Sequence, residues 1–327
     1  MSAPDLAIIL RVYVKPKRAT RKRRRGRSRP KPSGRRWPAA ALVFDTETSI
    51  DPTQRLLFGS YHYARWTRHK TLHVVEEGLF YADELPETNP TAFATLKTYA
   101  RTHEAEVGAR CDPTLRLHSR AEFVERVFWR ALQARSLVVG FNLPFDLSRI
   151  AVECGEARGQ YRGGFSFTLS AYRDAMTGVW RENPYRSRVC VKHIDGRRSF
   201  IGVTRPRRAA DNGRRGTRAR LPPSRFLDLH TLTFALTNEN HTLASAGESF
   251  RIEHGKLAAG EHGVITSTYI DYNRRDVLAT LELLEKLRAE FDRHPVDLDP
   301  CQALSPASLA KAYLRAMGVI PLTEKCR

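Results

Sequence analysis

Long apolar runs are missing from this chain of 327 residues. No stretch reaches the about 18 apolar residues that a bilayer-crossing helix needs, which excludes a membrane span. No apolar segment follows a basic start in the manner of a secretory leader, so the sequence predicts no export. Cysteine is scarce: Cys111, Cys154, Cys190, Cys301 and Cys326 are the five present. None forms a C-x-x-C pair, and the spacing suits neither a zinc knuckle nor a disulfide framework. They read as reduced thiols of a reducing compartment. The eleven histidines include no H-E-x-x-H motif, so a zinc hydrolase finds no support.

Acidic residues are also in deficit, 35 against 55 Lys and Arg, for a net charge of +20. The excess is not spread evenly. Residues 1–40 carry 14 basic residues against one acid, Asp5, for +13. Residues 196–220 carry nine arginines against Asp211, for +8. The remainder holds 32 basic and 33 acidic residues, for −1. A nearly neutral body with two dense cationic segments points to a polyanion, most simply nucleic acid. Residues 15–40 combine like charge, proline and little apolar content, and are expected to be a disordered basic tail.

Order is expected from Ala40 to Leu42, with Ala41–Phe44 as a buried strand. Leu56–Trp66 and Thr71–Tyr81 extend it to an antiparallel meander. Ser119 caps an amphipathic helix, Arg120–Ala134, and Ser136–Phe141 reads as another strand. A helix follows over Leu143 to about Glu156. Further strands are expected within 163–204, then a Pro/Gly/Arg-rich loop, Arg205–Pro223. The helix with the clearest period covers 269–293, where Val277, Leu281, Leu284, Leu287 and Phe291 share a stripe. A last helix, Ser305–Met317, ends at Gly318. The mixture predicts an α/β domain, one mixed sheet covered by helices.

Three groups carry chemistry. Asp45 and Glu47 end the first apolar strand, and their two-residue spacing puts both carboxylates on one face. Such a pair repels unless a cation lies between them. Asn142, Phe145 and Asp146 follow the later strand Val138–Gly140, with Pro144 in the first turn of a helix and Asp146 where the dipole favours an anion. Tyr272 and Asp276 stand four apart on the periodic helix and so share a face. Taken singly, each has a bland reading as a strand end, a helix cap or a solvated acid.

In combination and in this order, the motifs resemble the DEDD 3′–5′ exonuclease superfamily in its tyrosine-bearing branch. The context is most similar to the proofreading domain of family B DNA polymerases of the plasmid- and phage-borne, protein-primed kind. The resemblance spans roughly residues 41–317 and implies a ribonuclease-H-like fold over 41–295, with 205–223 as a basic insertion. It implies that Asp45, Glu47, Asp146 and Asp276 hold two Mg²⁺ or Mn²⁺ ions, whose oxygen-rich ligand set suits such hard cations. Two ions about 3.5–4 Å apart clamp a scissile phosphate. It assigns Tyr272 to orienting the attacking water. Thr48, Asn142, Phe145 and the loosely matching Thr242-Leu243 and Lys256 would hold the single-stranded 3′ end of DNA. Segment 296–327 resembles the start of a connection to a polymerase, yet the chain stops at Arg327 without the acidic motifs of a palm domain. A polymerase fragment and a stand-alone nuclease both stay open. So do a non-catalytic nucleic-acid-binding module and an RNA-trimming enzyme of the same fold. The expected setting is the cytoplasm or nucleoid, or the nucleus in a eukaryote, with DNA and a polymerase domain or subunit as partners.

Overall fold

Alternating apolar side chains on both faces of the first strand require cover on both sides, and the chain supplies it. The computed structural model describes residues 37–174, 176–208, 225–255 and 262–319. The basic segment through Arg36, residues 209–224, Lys256 and the end from Ile320 lie outside the described residues.

Strands β1 (Ala40–Thr48), β2 (Leu56–Trp66) and β3 (Leu72–Tyr81) form the expected antiparallel meander. Trp37, three residues before β1, is already packed: its indole lies edge-on to Trp66 and Phe291, and its Nε1–H donates to Asp292 at 3.0 Å. Residues 37–40, expected within the disordered tail, are therefore ordered, and the rest of that expected tail lies outside the described residues. Helices α1 (Leu85–Thr88) and α2 (Pro90–Thr102) follow. Next comes a strand the pattern did not suggest, β4 (Arg116–Ser119), parallel to β3.

Ser119 caps the next helix as expected, in a reciprocal capping box with Glu122. That helix is α3 (Arg120–Glu122), a π-helical run Phe123–Phe128, then α4 (Trp129–Gln133). Strand β5 (Leu137–Gly140) leads into α5 (Leu143–Arg149). The expected helix to Glu156 is corrected here. It ends at Arg149, and Glu153–Glu156 is strand β6, paired with β7 (Phe165–Thr168). The β-branched Val152 and the Gly155 backbone suit an extended edge better than a helix.

The remaining strands are β8 (Ala171–Arg173), β9 (Trp180–Glu182), β10 (Val189–Asp195), β11 (Arg198–Val203) and β12 (Phe226–Asp228). The remaining helices are α6 (Leu229–Thr237), α7 (Leu243–Phe250), α8 (Ser267–Asp292) and α9 (Pro306–Ala316). No helix among the described residues is long and apolar enough to cross a membrane.

The main sheet has six strands in the order β12-β5-β1-β2-β3-β4. Strands β5 and β12 run parallel to β1, and β2 runs antiparallel to it, so the sheet is mixed. Residues Ala41 and Val43 of β1 face α8, joining Val139, Val277, Leu281 and Leu284 in one buried cluster. Residues Leu42 and Phe44 face the other way, toward Phe123 and Phe128. The rings of Phe80 and Phe123 stack there at 4.1 Å. Each such fully buried ring contributes about 1.5–3 kcal/mol. Gly59, opposite Thr46 in the β1–β2 ladder, must be glycine, because a Cβ would lie 2.4 Å from the Asp45 carbonyl oxygen.

A second, four-stranded antiparallel sheet has the order β11-β10-β7-β6. Arg120 joins it to the main body. The buried guanidinium pairs with Asp83 at 2.6 Å and donates to the carbonyls of Ile150 and Leu169 at 3.1 and 3.0 Å. Nearby, Trp129 Nε1–H donates to Ser170 Oγ at 2.7 Å.

Candidate active site at the carboxyl end of the parallel strands

The three parallel strands β1, β5 and β12 end on the same side of the sheet, and each ends in acid-bearing chain. Asp45 and Glu47 close β1, Asp146 lies in α5 just after β5, and Asp228 is the last residue of β12. Open α/β sheets place ligands outside the carboxyl ends of their strands. A bulge between Glu47 and Thr48 breaks the ladder with β2 at this point and re-aims the side chains around it.

Helix α8 brings in the third motif. Asn273, fully buried, donates from Nδ2 to Asp45 Oδ2 at 2.7 Å and to Glu47 Oε1 at 3.3 Å. Its Oδ1 accepts from Ser60 Oγ–H at 2.6 Å. One amide therefore ties α8 to β1 and β2. Tyr269 donates its hydroxyl to Glu47 Oε2. Tyr272 is buried and stacks on Tyr269 at 6.1 Å, while the His262 ring meets both edge-on. Asp276 is buried one turn beyond Tyr272.

Asp146 reaches β1 from the other face. Its Oδ1 accepts from the Thr46 hydroxyl at 2.7 Å and the Thr46 amide at 3.2 Å. Gly140 makes room, since a Cβ there would lie 3.2 Å from Asp146 Oδ2. Asp228 caps α6 and accepts from the Thr231 hydroxyl at 2.6 Å and the Leu143 amide at 3.1 Å. It thereby fixes the start of the helix that carries Asp146.

Electrostatics follow from this crowding. Burial pushes the Glu47 carboxyl up, against the hydrogen bonds of Tyr269 and Asn273, and the charge of Asp276 adds to the rise. Burial raises Asp146 strongly; the Thr46 bonds oppose this, and the charges of Asp228 and Glu47 reinforce it. Burial likewise raises Asp228. Tyr272 is raised by burial first and then by the charge and hydrogen bond of Asp276. A divalent cation favours the ionised form of every one of these carboxyls.

No protein-family model matches the chain, and no curated protein matches it.

The structure thus gathers Asp45, Glu47, Tyr272 and Asp276 between β1 and α8, with Asp146 bonded to the residue between the two β1 acids. The carboxylates are spread rather than clenched. Among the described residues, the trio with all ligand atoms within 4.8 Å is elsewhere: Glu253, His254 and Glu282. There Glu282 Oε2 accepts the amides of Glu253 and His254, both at 3.0 Å, pinning the chain after α7 to α8. At the candidate site, Asn273, Tyr269 and Thr46 occupy lone pairs of carboxylates that repel one another.

Thr48 is half-buried at the end of β1. Asn142 is exposed at the N-cap of α5 with its side chain making no cap bond. Phe145 is half-buried, and the Arg149 guanidinium lies 4.7 Å from its ring centre. Thr242 and Leu243 have structural uses. The Thr242 hydroxyl caps α7 by accepting from the Ser245 amide at 3.2 Å, and Leu243 packs on the apolar cluster under α8. No described hydrogen bond carries either to the carboxylates. Lys256 lies outside the described residues.

Tyr269, Asn273, Thr46 and Asp228 escaped the sequence reading. Tyr269 stands three residues before Tyr272 and Asn273 three before Asp276, with Tyr269 and Asn273 four apart, the spacings of one helix face. Asp228 closes the short apolar run Phe226-Leu227 as Asp45 closes Ala41–Phe44, and that parallel was the available signal.

Proposed function

We propose that the protein is a metal-dependent 3′–5′ exonuclease of the DEDD type that acts on the 3′ end of a DNA strand. A mixed sheet with helices on both faces supports a ribonuclease-H-like core. One observation carries the reading: the Asn273 amide bonded to both Asp45 and Glu47. It joins the first and third motifs across about 230 residues of chain.

The donor set fits the implied ions. Asp45, Glu47, Asp146 and Asp276 offer only hard carboxylate oxygens, and these suit Mg²⁺ or Mn²⁺. Bound there, such ions supply charge neutralisation of a phosphate and an acidified water. The chain does the rest. Burial keeps the Tyr272 hydroxyl protonated, so it positions water and is not a general base. Tyr269 and Asn273 hold the Glu47 and Asp45 carboxylates in orientation. The exposed Asn142 and the face of Phe145 stand at the edge, where a terminal base can stack at about 1–3 kcal/mol. The water oxygen bonds to the terminal phosphorus, the bond from phosphorus to the 3′ oxygen breaks, and a nucleoside 5′-monophosphate leaves.

A 5′-labelled single strand is expected to shorten from its 3′ end with Mg²⁺ and to survive in EDTA. Asp45→Ala and Asp276→Ala are expected to reduce shortening to background while the circular dichroism stays folded. Undiminished shortening in both variants rejects the assignment.

A further inference from the structure

Five arginines meet on the outer face of the four-stranded sheet, in a cavity of about 580 Å³. They are Arg158, Arg186, Arg188, Arg205 and Arg207, and the only acids in the lining are Glu156 and Glu182. Five cations less two anions leave +3; counting Glu125 and Glu153, which pair with Arg186 at 2.6 Å and with Arg188 at 3.4 Å, leaves +1. Glu182 is shared, at 2.7 Å from Arg188 and 3.1 Å from Arg207. Arg158 and Arg205 are exposed, and neither is ion-paired among the described residues. Clustered guanidinium groups repel one another unless an anion joins them, and their planar fork matches phosphate oxygens. The floor is open: an ideal Cβ on Gly155 meets nothing closer than Arg188 Nη1 at 3.8 Å.

The cavity shares one wall with a second cavity that reaches α5. Glu182 also lines a larger cavity of about 930 Å³, whose walls include Ser148 and Arg149 of α5 and Trp180 of β9. Helix α5 is the one that carries Phe145 and Asp146. Trp180 is 63% exposed, an unusual position for an indole and a ready platform for a base.

We propose that this arginine cavity binds backbone phosphates of single-stranded DNA upstream of the 3′ end, along a path from Phe145 past Arg149 and Trp180. The proposal rests on the reading that the 3′ end enters the acidic site. It assigns the second sheet a part in holding the substrate, separate from the chemistry.

The test uses the full chain in EDTA, so that nothing is cut, and follows the anisotropy of fluorescein-labelled oligothymidylates. Arg158→Gln combined with Arg205→Gln removes the two arginines without ion pairs, and its melting curve reports whether the fold is kept. For a strand of about 15 nucleotides, about tenfold weaker binding is expected, with the slope of log K against log salt shallower by about 1.4, at about 0.7 for each lost phosphate contact. A trinucleotide, too short to reach the cavity, is expected to bind equally to both proteins. Arg158→Lys with Arg205→Lys is expected to restore most of the slope. Unchanged affinity and slope for the long strand overturns the proposal, as does an equal loss for the trinucleotide. A wild-type protein that never shortens DNA in Mg²⁺, yet loses long-strand affinity in the Gln variant, rejects the nuclease reading and leaves the phosphate surface standing.

Discussion

Single residues hold the site together through bonds that a sequence motif does not display. Asn273 satisfies Ser60, Asp45 and Glu47 at once, so Asn273→Ala leaves the buried Ser60 and the half-buried Asp45 and Glu47 each one partner short. A loss of about 2–4 kcal/mol in a urea melt is expected, and Asn273→Asp should lose more because it adds a third anion. Glu77, on β3, is the other buried carboxylate joined to α8. It receives both arms of Arg274 at 2.6 and 3.0 Å, and His62 lies 3.4 Å away. Burial pushes this carboxyl up, yet the hydrogen bonds and charges of His62 and Arg274 prevail and hold it at about 2. A carboxyl lowered by folding stabilises the native state above its unfolded value, and that stability fades as pH falls from about 4.5 toward about 2. Glu77→Gln is therefore expected to cost about 3 kcal/mol at pH 7, with the gap to wild type closing in that acid window. The acids Asp45, Glu47, Asp146 and Asp276 were legible because they end apolar runs or sit on a strong helical period. Asn273 and Tyr269 were not, because an amide and a second tyrosine on a buried helix face look like packing until the facing strand is known.

Elements were legible where a local signal was strong and unlegible where a distant partner decided. The meander, the Ser119 cap and helix α8 came from alternation, capping chemistry and a leucine stripe. Ser119→Ala removes one half of a reciprocal cap and is expected to cost about 1 kcal/mol, read as a lower denaturant midpoint. The π-helical run Phe123–Phe128 has no such signal; it lets Phe123 reach Phe80 while Phe128 reaches Phe44. Helix α5 stopped early because Glu153–Glu156 finds a strand partner in β7, a pairing set by residues beyond the reach of any local pattern. Strand β4 is likewise a product of its neighbour β3.

At the scale of the molecule, the two sheets share one apolar cluster, with Phe167, Val189, Val191 and Ile201 beside Phe44 and Phe128, and a polar joint at its edge. Arg120 makes four of its bonds there, to Asp83 and to the carbonyls of Ile150 and Leu169. Arg120→Met leaves the half-exposed Asp83 with the Ala121 amide alone and frees two carbonyls, so about 2–3 kcal/mol is expected to be lost. Amide hydrogen exchange should speed up in β6 and β7 before it does in β1. Within the basic segment 196–220, the described arginines Arg197, Arg198, Arg205 and Arg207 lie on or next to the second sheet. That a sheet of its own carries part of this charge was not legible in the sequence, because its strands are short and paired out of order. Four tryptophans divide the structure in the same way: Trp37 and Trp66 are half-buried, Trp129 is buried, and Trp180 alone is openly exposed. The chain thus carries its own optical probe. Iodide, drawn by the neighbouring guanidinium groups, should quench the red-shifted part of the emission more than caesium does, and a strand laid across Trp180 should shield it from both.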